Sequence, residues 1–138
     1  MNIDVSYGIT ARLPGTTLAA ARERVTAALA AEGFGVLTEI DVAATLQKKL
    51  GKTIDPYVIL GACNPGLAHR AISAEPGIGL LLPCNVVLTQ DGADVVISAA
   101  SPRAMFTVVK GQPEMESVAA EAEEKLTRAV ASLATPAA

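Results

Sequence analysis

Between Glu114 and Leu133 the apolar side chains Met115, Val118, Ala119, Ala122, Leu126, Ala129, Val130 and Leu133 recur every three or four residues. That spacing gathers them into one helical stripe. Glu121–Lys125 and Glu124–Arg128 stand four apart with the acid first, the better orientation for helix ion pairs. A helix with so continuous an apolar stripe draws its stability from packing that face against another element. The rest of the chain must therefore provide a layer for it to cover.

The opening segment provides a strand. Ile3, Val5, Tyr7, Ile9, Ala11 and Leu13 alternate with Asn2, Asp4, Ser6, Gly8, Thr10 and Arg12, the period of a strand with one face in the core. Pro14-Gly15 ends it, and Thr16 or Thr17 caps a helix from Leu18 to about Glu32, which stops at Gly33. Phe34 to Ile40 reads as a second strand. Asp41 caps a short amphipathic helix built on Val42, Leu46, Lys49 and Leu50, which Gly51 closes. The run Tyr57–Ala62 is apolar on both faces, which suits a central strand or one pressed against a partner subunit.

Asn64-Pro65 is a specific helix start, and the helix runs through Ile72 and stops before Pro76. Pro83 argues against a regular central strand over Ile78–Leu82. Asp91-Gly92 lies between Asn85–Thr89 and Asp94–Ser98, two β-branched runs, and predicts a hairpin. An irregular stretch follows Pro102. The order β-α-β-α-β-α-β-β-α describes a single compact α+β domain over residues 1–134. Its sheet is mixed or antiparallel with helices packed on it, and residues 135–138 form a frayed tail.

Composition narrows the function classes. At 51% apolar and 18% charged the chain is not disordered. A net charge of −3 and only four aromatics, Tyr7, Phe34, Tyr57 and Phe106, argue against a nucleic-acid partner. The longest uncharged run, Pro76–Gln90, is interrupted by Pro83 and Asn85 and falls short of the ~20 apolar residues of a membrane span. The N-terminus has neither the basic region nor the apolar run of a signal peptide. Two cysteines do not make a disulfide framework, so the expectation is a cytoplasmic protein with reduced thiols, one internal disulfide remaining open.

Cys63, His69 and Cys84 carry whatever side-chain chemistry the sequence offers. Cys63 falls just before a helix start, whose partial positive charge favours a thiolate. It is thus a candidate nucleophile with His69 as its base. His69 lies roughly 130° from the centre of the apolar face set by Leu67, Ala68, Ala71 and Ile72, on the flank or surface of its helix. A plainer account stands beside each: cysteines as small buried hydrophobes, the reading that burial base rates favour, His69 half-exposed without a task, Asn64 and Asn85 as cap and turn chemistry. The three donors lack the paired spacing and the fourth ligand of a structural zinc site. No metal is assigned; Cys63, His69 and Cys84 are the only candidates, and a soft ion would suit them. No phosphate loop, nucleophile elbow or dinucleotide fingerprint is present, so no cofactor is named.

The stretch Tyr57-Val58-Ile59-Leu60-Gly61-Ala62-Cys63-Asn64-Pro65, followed by His69 and by Pro83-Cys84-Asn85, resembles the family called domain of unknown function 302. Glu32-Gly33-Phe34-Gly35-Val36 and Asp41 upstream extend the resemblance, which covers about Val5 to Leu133. It implies a compact, homodimeric α+β domain of bacterial or archaeal origin and implies no activity. Three readings follow. The first is a small-ligand or soft-metal binding module at Cys63, Asn64, His69, Cys84 and Asn85. The second is a thiol enzyme using Cys63 and His69. The third is a structural homodimer in which these residues do no chemistry.

Overall fold

The computed structural model describes residues 1–134; the tail expected at 135–138 lies outside the described residues. The element order is β1 (Gly8–Leu13), α1 (Leu18–Ala31), β2 (Gly35–Asp41), α2 (Val42–Leu50), β3 (Tyr57–Cys63), α3 (Pro65–Ala74), β4 (Cys84–Asp91), β5 (Asp94–Ala100), α4 (Pro102–Met105) and α5 (Pro113–Leu133). A 3₁₀ turn, Pro76–Leu81, lies where Pro83 argues against a strand, and a second, Phe106–Val108, follows α4 in the stretch expected to be irregular.

Local signals did their work. Thr17 Oγ1 accepts from Ala20 N, Asp41 Oδ1 accepts from Ala44 N at 2.9 Å, and Asn64 Oδ1 accepts from Leu67 N at 3.2 Å. Each side chain thereby satisfies an otherwise free N–H at the start of its helix. The hairpin turns at Gly92-Ala93, where Gly92 takes a left-handed φ of 60°.

The five strands form one antiparallel sheet in the order β1-β5-β4-β3-β2. Chain neighbours β1 and β2 therefore sit at opposite edges. The face carrying Leu13, Val95, Ile97, Val86, Leu88, Val58 and Leu60 is buried together with Ala21, Val25 and Leu29 of α1, Leu67 and Ala71 of α3, and the stripe of α5. All eight stripe residues of α5 are buried. That helix packs against α1, α3, α4 and β1, making it the centre of the helical layer.

One local expectation gives way. The alternation beginning at Asn2 is not all strand, since pairing starts only at Gly8. Gly8 N donates to the Val5 carbonyl at 3.0 Å, and the preceding residues turn back toward the second sheet face. There Ile3 and Val5 are half-buried and line a cavity with Tyr57, Val87 and Ser98. Alternation records which side chains want cover, and a turned-back segment covers them as a longer strand would.

Candidate functional site

The site begins at a strand pair. Cys84, the first residue of β4, stands directly opposite Ala62 of β3, so both face the helical layer and Cys84 packs against the core. Cys63 follows Ala62 at the strand end, where the chain turns into the Asn64 cap of α3. The two sulfur-bearing side chains border one hollow of about 30 Å³. Phe34, Leu67, Leu82, Phe106 and Val118, from five separate segments of the chain, close it.

Asn64 is the one polar side chain besides the cysteines on this wall, and its groups are spent. Its Oδ1 caps α3, and its Nδ2 donates to the Glu32 carbonyl at 3.4 Å. The remaining lining side chains are hydrocarbon, so the sulfurs are the side-chain atoms with chemistry left to do. Both cysteines are free thiols. Burial, and secondarily the nearby Cys63, pushes the Cys84 thiol up to about 11. A thiol in that state is a neutral hydrophobe at pH 7 rather than a nucleophile.

The other residues singled out from sequence go elsewhere. His69 is exposed on the outer side of α3, with Leu67 and Ala71 turned inward, and it does not line the hollow. Asn85 is exposed on the opposite sheet face, beside Tyr57 and Val87 in the cavity under the N-terminal segment. Two residues one apart in a strand point to opposite faces, which separates Asn85 from Cys84. Among the described residues no three His, Cys, Asp or Glu side chains are grouped so as to hold a metal ion.

The sequence matches the family described as Domain of unknown function DUF302 over residues 9–133. The chain belongs to that family. Its fold is similar to the crystal structure of an uncharacterized conserved DUF302 protein from Bacillus stearothermophilus, with a TM-score of 0.83 and 29% identity. That likeness covers 92% of this chain and 98% of the other. Among curated proteins, nothing matches.

Two features of this DUF302 chain escaped sequence reasoning. Gly61 sits where an added Cβ would lie 2.9 Å from Pro83 Cγ and also collide with Thr38 Oγ1. The missing side chain lets Pro83 lie across β3 and so seats Cys84 in its pairing register. A glycine inside an otherwise apolar strand is the signal for such a close approach. Arg70, for its part, donates to Glu114 at 2.8 Å, to Glu121 at 2.5 Å and to Ser117 at 3.2 Å. It ties α3, which begins at the hollow, to α5. No local spacing announces a partner more than 40 residues away.

No helix among the described residues is long and apolar enough to cross a membrane.

Proposed function

We propose that this DUF302 protein binds a single soft, thiophilic metal ion, of the Cu⁺ type, between Cys63 and Cys84. The observation that carries the reading is the size and chemistry of the hollow. Small-molecule sites usually offer ~300–1,000 Å³, whereas this one offers about 30 Å³ and two sulfurs. A water needs roughly 10–15 Å³ in the same measure, so the space suits one or two atoms rather than a metabolite. Thiolates select soft ions, and a bound cation displaces even a tightly held thiol proton. Two sulfurs without a third or fourth donor do not make the closed tetrahedral site of structural zinc.

The thiol-enzyme reading, with Cys63 as nucleophile and His69 as base, loses its base, because His69 is exposed on the outer side of α3 and does not line the hollow. His69 and Asn85 accordingly drop out of the proposed site. The expected setting is a reducing compartment such as the cytoplasm, in which free thiols persist.

The test is anaerobic titration of the reduced protein with Cu⁺ or Ag⁺ against a chromophoric competitor. One ion should bind per chain, binding should be lost in Cys63→Ser and in Cys84→Ser, and His69→Ala should leave it unchanged. Uptake that survives either cysteine change, or that needs His69, would overturn the assignment.

Pairing with a second copy is the accompanying proposal. It is supported by the second sheet face and the free β2 edge, where Tyr7, Leu37 and Ile40 remain exposed, and by α2, which buries none of its residues. Sedimentation velocity at micromolar concentration should give a dimer; a monomer at that concentration removes the idea.

A further inference from the structure

Of the six arginines in the chain, five spend their guanidinium on a partner within it: Arg12 on Asp91 and Asp94, Arg22 on Glu39, Arg24 on the Leu133 carbonyl, Arg70 on Glu114 and Glu121, and Arg128 on Glu32 and Glu124. The guanidinium of Arg103 makes no hydrogen bond or ion pair to any described residue. It stands on the rim of an open groove of about 510 Å³ between the Phe106–Val108 turn and the first turns of α5. Lys110, also without an ion pair among the described residues, shares that rim with the exposed Glu116. The floor is apolar and belongs to the core: Phe106, Met115 and Ala119 are all buried.

We infer that this groove binds a single-chain amphiphile with an anionic head, of the medium-chain carboxylate class. The volume lies within the ~300–1,000 Å³ of small-molecule sites. The floor offers hydrocarbon to a tail, and two cations against one acid leave the rim with a net single positive charge for the head. Arginine matches a carboxylate with a planar, two-pronged set of donors, which makes an uncommitted Arg103 the recognition element. The groove is separate from the thiol hollow, with Phe106 as their common wall, and the inference does not rest on metal binding there.

The experiment is an NMR and calorimetric titration of the full chain with decanoate below its micelle concentration, with decanol and inorganic phosphate as controls. Decanol keeps the tail without the charge, and phosphate keeps a charge without the tail. Decanoate should bind saturably, one per chain, and more tightly than either control. Arg103→Gln should weaken it by about tenfold or more, as loss of charge-assisted hydrogen bonds does. Lys110→Gln should weaken it as well, and Glu116→Gln should tighten it. All three positions are exposed, and an unchanged melting curve for each variant verifies that the fold is intact. Equal binding of decanol, an Arg103→Gln affinity equal to that of the parent chain, or binding to anionic vesicles with none to dissolved decanoate would each overturn the inference.

Discussion

Asn64 joins the two halves of the thiol hollow's rim: its Oδ1 caps α3 at Leu67 N, while its Nδ2 reaches the Glu32 carbonyl at the end of α1. Between those contacts lies Gly33, with φ +83° and a missing Cβ that would stand 2.9 Å from Asn64 Nδ2. A cap residue and a left-handed glycine thus share one space, 31 positions apart in the chain.

The first prediction is a double-mutant cycle on that pair. Asn64→Ala should cost about 1 kcal/mol, the typical loss for an N-cap. Gly33→Ala should be destabilising on two counts, the positive φ and the collision with Nδ2. In the Asn64→Ala background only the backbone strain remains, so the two costs should sum to more than the double mutant shows. Urea unfolding of the four proteins measures this; strictly additive values would refute the shared-space account.

Cys84 predicts a pH dependence in the metal-free protein. Its folded thiol is held up to about 11 against an ordinary value of 9.0. Between those values the unfolded chain has lost a proton that the folded chain keeps, so stability falls as pH rises from about 9 to about 11. Two units correspond to something on the order of 2–3 kcal/mol at the top of that range. Cys84→Ala should remove this part of the slope, read as the difference between the two proteins' stability curves. Alkylation of Cys84 should likewise stay slow at neutral pH. Identical slopes in the two proteins would contradict the burial of this thiol.

Gly61→Ala tests how Cys84 is seated. The new methyl group meets Pro83 and Thr38, neither of which is the far end of a long flexible chain. Overpacking of this kind costs about 1–3 kcal/mol. The displaced Pro83 should also raise the alkylation rate of Cys84, a change that a general loss of stability at some other site would not produce under native conditions.

The Arg70 clamp is partly open to water, so its contribution should be modest and sensitive to salt. Arg70→Met should lower the melting temperature at low ionic strength. The gap between the two proteins should narrow in molar salt, where exposed ion pairs are screened. A gap that widens with salt would mean that Arg70 acts by packing instead.

Much of the fold was readable because it is written in short-range terms. The caps at Thr17, Asp41 and Asn64, the turn at Gly92 and the stripe of α5 each depend on residues within a few positions of one another. Their geometry follows from backbone sterics and the helical period, which any chain of this composition obeys. Even the exposure of His69 came from rotation about a single helix axis.

Only the tertiary structure decided which of these pieces meet. The order β1-β5-β4-β3-β2 places Cys84 opposite Ala62 and brings two sulfurs, 21 positions apart, to one hollow while leaving His69 and Asn85 outside it. It also docks Arg70 on α5 and turns the first residues back across the sheet. The physical reason is that apolar periodicity tells each segment which face to bury but not against whom. Strand register and helix docking are settled by the packing of the whole core at once, among residues whose separation in the chain carries no record of their distance in space.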